Sequence, residues 1–203
     1  MEKKPMAPLP GVDDPIDLLR GWRADADREE THDPSAACLA TVGRDGAPAA
    51  RIVLIKALDA RGLVFYTNSA SRKGRELAEH PSAALAIHWP ALGRQVRIEG
   101  PVVPVSDEEA DTYFASRPRG SQIGAWASAQ SSILVGGLDE LSRQFRDTSE
   151  RFSGRPVTRP PHWTGYRVVP HRIEFWRHRD DRLHERLRYE RTENGWRHDR
   201  LAP

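Results

Sequence analysis

The chain is poor in the residues that build covalent and metal-held scaffolds. Among its 203 residues there is one cysteine, Cys38, so no disulfide can form within one copy. Its neighbours in Ala36-Ala37-Cys38-Leu39-Ala40 mark it as a small buried side chain rather than a nucleophile. A reducing compartment fits, and the cytoplasm is the expected address. With a single thiol and eight histidines at no ligand spacing, no metal site is expected. No apolar run approaches the length of a membrane span, and Met1 to Pro10 lacks the apolar centre of a secretory signal, so no membrane partner is expected. Gly-x-Gly-x-x-Gly after a strand, Gly-x-x-x-x-Gly-Lys-Ser/Thr and Gly-x-Ser-x-Gly are all missing, which leaves dinucleotide, P-loop and nucleophile-elbow chemistry without support. An excess of charge of either sign is lacking too. A net charge of +2 argues against a general nucleic-acid binder, which concentrates excess Lys and Arg.

What is present describes a globular chain, 38% hydrophobic and 30% charged. Residues 1–13, rich in proline and lysine at their start, read as a flexible arm, and residues 14–203 as one domain. Asp14-Pro15 opens a helix, with Asp14 as cap and Ile16, Leu19 and Trp22 as its apolar stripe through about Ala26. Short strands follow at hairpin spacing: 37–42, a Gly43 to Gly46 turn, 49–58, an Asp59 to Gly62 turn, and 63–67. Arg51-Ile-Val-Leu-Ile-Lys56 is apolar on both faces, so a helix or a second subunit must cover the side that a small barrel does not bury. A helix over 71–79 capped by Ser71, strands over 83–89 and 94–105, and helices over 107–115 and 138–152 come next. Four strands close the chain, over 163–169, 172–176, 183–191 and 196–201. The pattern is mainly β with flanking helices.

Three stretches carry chemistry. Arg72 and Lys73 sit in the first turn of a helix, where cations oppose the dipole unless an anion is bound there, or where they are simply solvated. Arg117-Pro-Arg-Gly-Ser-Gln-Ile-Gly-Ala-Trp-Ala-Ser-Ala-Gln-Ser-Ser132 combines arginine forks, suited to phosphate or carboxylate, with a serine at a helical turn; the bland alternative is a capped surface helix. In Arg182-Leu-His-Glu-Arg-Leu-Arg-Tyr189, a strand period puts Arg182, His184, Arg186 and Arg188 on one face. That row calls for an anionic partner, or is neutralised by Glu174, Glu185 and Glu190. Phosphate-friendly clusters, aromatic platforms (Tyr66, Trp126, Trp176) and no evident nucleophile suggest a phosphorylated cofactor that carries the chemistry itself.

Taken in order, Arg51-Ile-Val-Leu-Ile-Lys56, Val64-Phe-Tyr-Thr-Asn68, Ser71-Arg-Lys73, Arg94-Gln-Val96, Tyr113-Phe, the Arg117 to Trp126 run, Gln130-Ser-Ser132, Glu174-Phe-Trp176, Arg182-Leu-His184 and Arg200-Leu-Ala-Pro203 resemble the pyridoxine/pyridoxamine 5′-phosphate oxidase family. The resemblance covers about residues 14–203. It implies an antiparallel, Greek-key-like split β-barrel that binds FMN, in a homodimer with the flavin at the interface. Matched by position, Arg51, Lys56, Tyr66, Thr67, Arg72, Lys73, Gln95, Gln130, Ser131, Trp176 and Arg186 would hold FMN. Lys56, Tyr113, Arg117 and Ser121 would grip the substrate phosphate, and Arg182 and His184 would be the catalytic pair that places the ring.

The activity implied is oxidation of pyridoxamine or pyridoxine 5′-phosphate to pyridoxal 5′-phosphate, with O2 as acceptor and H2O2 as product. Two alternatives stand beside it. One is an FMN-dependent oxidase of a dihydrophenazine, of the phenazine-biosynthesis type, which shares an ending very like residues 182–189. The other is a non-catalytic protein that binds flavin or pyridoxal phosphate. The chain departs from the family pattern in four places. Residues 1–13 contain no Arg-x-x-Tyr, Gly136-Gly137 replaces a common Ser-Arg pair, Thr164 replaces a glycine, and Arg177 to Asp181 is bulkier and more charged than usual.

Overall fold

The structure, a computed structural model, describes residues 7–203. Helix α1 (Pro15–Glu29) starts where Asp14 accepts the Ile16 N–H, with proline at its first position, and buries Ile16, Leu19, Trp22 and Ala26. It runs three residues beyond the expected end, because the Asp17–Arg20, Arg23–Asp27 and Arg28–Asp25 pairs support its polar face. The strands β1 (Ala36–Val42), β2 (Pro48–Leu54), β3 (Ala57–Asp59), β4 (Gly62–Asn68), β5 (Ser82–Trp89), β6 (Arg94–Pro104), β7 (Trp163–Val168), β8 (Arg172–Arg177), β9 (Glu185–Thr192) and β10 (Gly195–Leu201) form one antiparallel sheet. Its order is β10-β9-β8-β6-β5-β1-β2, while β7 pairs β6 and β4, and β4 pairs β3.

Strand β6 is the hub that curls the sheet into a half-barrel. Its first half pairs β5 and β8, and its last residues, Val102 to Pro104, pair β7. The switch occurs around Gly100, where a Cβ would sit 1.9 Å from the Val169 carbonyl oxygen, so only glycine permits that approach. The core lies inside the curl: Leu39, Phe65, Leu85, Val96, Ile98, Ile173, Phe175, Leu187 and Tyr189 are buried, and Trp22 of α1 meets Phe175 edge-on at 5.1 Å. Each such side chain contributes about 1.5–3 kcal/mol by leaving water.

The helices α2 (Arg72–Glu79), α3 (Asp107–Ser116), α4 (Arg119–Ala127) and α5 (Gly137–Arg151) flank this sheet. A second apolar cluster, Phe114, Ile123, Phe152, Val157 and Trp163, joins α3 and α4 to the start of β7. Helix α5 buries none of its residues, and Leu138 stands 77% exposed.

Several expectations need adjusting. The strand expected over 49–58 is broken, because Ile55 and Lys56 turn their N–H groups to Ser35 and Val64. On β2 the outward Ile52 and Leu54 stay exposed, so no helix among the described residues supplies the expected cover. Cys38 is half-buried, not buried. Of the arm expected to be flexible, residues 1–6 lie outside the described residues, whereas Ala7 to Val12 is tied down. Leu9 is buried, its N–H donates to Glu185 (2.9 Å), its carbonyl accepts from Arg200 (2.7 Å), and the Val12 N–H donates to the Tyr189 hydroxyl. One apolar side chain among prolines anchors a stretch whose composition reads as loose.

Candidate functional site

Between β2 and α2 opens a cleft of about 680 Å³. It is lined by Arg51, Lys56, Tyr66, Thr67, Arg72, Lys73, Tyr113, Arg117, Gln130 and Ser131, along with Ile52, Leu54 and Trp163. Residues as far apart in sequence as Arg51 and Trp163 thus share one cleft. Ser121 opens instead on an adjoining hollow of about 360 Å³, which shares Tyr66, Thr67, Arg117, Gln130 and Trp163 with the cleft. Sizes of this order suit a cofactor or a small substrate.

The electropositive end is built on the first turn of α2. The Ser71 hydroxyl caps the helix by accepting the Gly74 N–H (3.3 Å). Lys73, 7% exposed, donates to the hydroxyls of Thr67 (3.1 Å) and Ser71 (3.4 Å). Thr67 in turn donates to the Gln130 side-chain oxygen (3.1 Å), which also accepts the Asn68 N–H. Burial, and then the neighbouring Arg51 charge, push the Lys73 ammonium below the ordinary lysine range. A cation held there at an energetic cost is one that an anion would stabilise.

Glu76 organises the arginines beside it. Its carboxylate accepts from Thr41 (2.5 Å), Arg51 (3.0 Å) and Arg72 (2.7 Å). Burial alone would raise the Glu76 pKa, but these bonds outweigh it and hold the carboxyl below its usual range. Arg51 also reaches the Thr41 hydroxyl. In the sequence the only trace of this role is the spacing of four from Arg72 to Glu76, the signature of a helix-surface pair.

The opposite wall is aromatic. Tyr66 stacks on Tyr113 (4.0 Å between centroids, 13° between planes) and on Trp163 (5.2 Å, 7°). A Cβ on Gly165 would lie 2.6 Å from the Tyr66 ring, so glycine is what lets the ring lie flat on β7. Burial raises the pKa of both tyrosines. The Arg117 guanidinium carbon sits 4.9 Å from the Trp163 centroid and 5.6 Å from that of Phe114. Its Nη1 is buried and finds no hydrogen-bond partner among the described residues, and burial lowers its pKa. The serine of this run, Ser121, lies in the first turn of a helix. Helix α4 already begins at Arg119, and Ser121 donates its N–H to the Pro118 carbonyl (2.8 Å).

A second cluster lies elsewhere. Gln95, Trp176 and Arg186 are side by side on β6, β8 and β9, and His184 packs on Trp176 (4.7 Å between rings). None of them, nor Arg182, lines the cleft. The strand expected from Leu183 starts only at Glu185, because Asp181 and Arg182 take left-handed backbone (φ 56° and 60°) in a single helical turn. That strain falls on and beside the expected catalytic pair, and Ser131 in the cleft is left-handed too (φ 71°). His184 Nδ1 accepts the Arg179 N–H (3.2 Å), which leaves Nε2 to carry the proton of the neutral ring. Arg186 is held by both oxygens of Glu174, and Arg188 lies near Glu190 and Asp199. Carboxylates thus stand beside both cations, while Arg188 Nε is buried with no hydrogen-bond partner among the described residues. Among the described residues no group of His, Cys, Asp or Glu is gathered to hold a metal ion, and no helix is long and apolar enough to cross a membrane.

The family model described as pyridoxamine 5′-phosphate oxidase matches residues 24–159, and the model of the pyridoxine 5′-phosphate oxidase C-terminal dimerisation region matches residues 163–203. A pyridoxine/pyridoxamine 5′-phosphate oxidase of Azorhizobium caulinodans is 54% identical over 194 residues, 95% of this chain and 91% of the relative. One of Myxococcus xanthus is 56% identical over 171 residues, 84% of this chain and 82% of the relative. Among solved structures, PhzG of Burkholderia lata 383, crystallised with tetrahydrophenazine-1-carboxylic acid, superposes with a TM-score of 0.89 at 38% identity, covering 95% of this chain and 94% of that one. An FMN-binding protein of Nostoc punctiforme shares the fold with a TM-score of 0.73 at 17% identity, over 91% of this chain and 97% of that one.

Proposed function

The chain belongs to the pyridoxamine 5′-phosphate oxidase family of FMN-dependent oxidoreductases, and on that premise we propose that it oxidises pyridoxamine or pyridoxine 5′-phosphate to pyridoxal 5′-phosphate, with O2 as acceptor and H2O2 as product. The observation that carries this reading is Arg117: a guanidinium with a buried, unpartnered Nη1 in the same cleft as the Arg51/Arg72/Lys73 cluster. Two anion-seeking ends in one cavity suit a cofactor phosphate and a substrate phosphate.

The residues present fit FMN. Lys73, buried and opposed by its surroundings, together with Arg51, Arg72 and the first turn of α2, would take its phosphate. Thr67, Gln130 and Ser131 offer polar groups along the wall, and Tyr66 offers a flat face. Bound FMN would supply the redox chemistry, with the hydride equivalent leaving the substrate C4′ and the electrons ending on O2. The chain's share is placement. Lys56, Tyr113 and Arg117, with Ser121 at the adjoining hollow, hold the substrate phosphate, which makes the oxidation effectively intramolecular.

Arg182 and His184 place the pyridine ring. Because they and Gln95, Trp176 and Arg186 lie off the cleft of their own chain, a second copy supplies them, and the site is completed across a homodimer. The exposed Ile52 and Leu54 at the cleft are the apolar surface such a partner would cover.

The test is an oxidase assay with the purified yellow protein, offering pyridoxamine 5′-phosphate, pyridoxine 5′-phosphate and a dihydrophenazine carboxylic acid side by side. Turnover of the vitamin phosphates with H2O2 release is expected. Faster turnover of the phenazine would favour the reading suggested by PhzG, and bound FMN without any turnover would favour a carrier.

A further inference from the structure

We infer that Trp163 is a positioning residue for the substrate phosphate, holding the Arg117 fork open on its indole face. The inference rests on the reading of the cleft as a site for phosphorylated vitamers. An arginine in a protein interior is usually neutralised by a carboxylate, which occupies the in-plane N–H groups that would otherwise grip a ligand. Arg117 is not held that way, and among the described residues it makes no ion pair. Its guanidinium lies over Trp163 at 4.9 Å and over Phe114 at 5.6 Å, and its Nη1 is buried without a hydrogen-bond partner. Cation–π contact engages the face of the guanidinium and leaves its edge free. The aromatic support therefore stabilises the charge without consuming the donors.

Trp163 itself is fixed. It is 6% exposed, meets Phe114 edge-on at 5.0 Å, and lies parallel to Tyr66 at 5.2 Å. Its carbonyl accepts from Arg159 (2.8 Å), whose other nitrogens bind Asp107 (2.7 Å) and Asp111 (2.6 Å) on α3, the helix that also carries Tyr113. One indole thus fixes the relative position of Arg117, Tyr66 and Tyr113. Leucine at 163 would fill space but offer no π face. The guanidinium would then lose its support and its defined direction.

The test uses the FMN-loaded protein and the variants Trp163→Leu and Trp163→Phe. Steady-state rates with pyridoxamine 5′-phosphate are combined with equilibrium titration of pyridoxal 5′-phosphate and of unphosphorylated pyridoxal. For Trp163→Leu the expected result is KM and Kd for the phosphorylated compounds raised by about 3- to 30-fold, the scale of a cation–π contact. Pyridoxal affinity should stay the same and kcat should change little, with Trp163→Phe in between. Phosphate discrimination is a quantity that a merely structural role would leave alone, so unchanged discrimination in the leucine variant overturns the inference. Should Trp163→Leu lose FMN or cooperative unfolding, Trp163→Met, which also lacks a π face, decides, and unchanged discrimination there overturns it equally. Wild-type protein that does not distinguish pyridoxal 5′-phosphate from pyridoxal overturns the substrate reading itself.

Discussion

Replacing Glu76 by glutamine should cost the flavin-free protein more than the flavin-bound one. The carboxylate is 6% exposed and accepts from Thr41, Arg51 and Arg72. Glutamine keeps the shape but removes the charge, leaving Arg51, Arg72 and Lys73 crowded with no counter-charge. Breaking one side of a fully buried pair costs about 3–5 kcal/mol. The Arg51 and Arg72 side chains keep 20% and 59% exposure, so we discount this to about 2 kcal/mol because water screens what remains. For a chain of this size that is a fall in Tm of about 4–8 °C. A bound phosphate restores the missing negative charge and competes with Glu76 for the same N–H groups. With saturating FMN the loss should therefore be about half as large, and by linkage FMN should bind the variant about fivefold more tightly. Thermal unfolding with and without FMN, together with flavin-fluorescence titration, measures both quantities. Equal losses in the two states, or weaker FMN binding, would refute the competition on which the argument stands. The pH dependence has a definite sign. The folded Glu76 pKa is depressed, so its stabilisation is present above the unfolded carboxyl value and is lost as pH falls through the folded one. The glutamine variant should lack that part of the acid sensitivity.

The remaining predictions concern the cations. Lys73→Met should weaken FMN binding by at least about tenfold while leaving the flavin-free protein as stable as wild type or more so, since a buried ammonium with a lowered pKa opposes folding at neutral pH. In wild type that cost should ease as pH rises through the lowered lysine pKa, which unfolding at alkaline pH would detect. Arg182→Ala should lower turnover by at least about a hundredfold with FMN content nearly unchanged. A variant that simply lost flavin would show that the residue had been given the wrong role.

The order of elements was legible because its signals are local. Asp14-Pro15 and Ser71 cap helices at the expected places, and Val96, Ile98 and Gly100 turn inward while Arg97 and Glu99 do not. The cleft was legible through motif order, which named most of the residues that line it. Two things were not. Apart from the Arg72–Glu76 spacing, Glu76 and Trp163 act through contacts with residues distant in sequence, Thr41 and Arg51 for the one and Arg117 and Tyr66 for the other, and no spacing announces such a partner. The start of β9 was misplaced because Leu183 continues the apolar alternation, yet the turn at Asp181 and Arg182 leaves it exposed. Periodicity reports what a segment could bury, and a left-handed turn decides what it does bury.

The proposed separation of the phosphate grip from the ring-placing pair, on two copies of the chain, has a genetic consequence. A copy defective at Arg117 and a copy defective at Arg182 would each be silent in a population of its own kind. Paired with one another, they would form assemblies in which one of the two sites draws its cleft and its arginine from undamaged halves. Two inactive alleles could then restore growth together where neither does so alone, a behaviour closed to any enzyme whose working parts all sit on one chain.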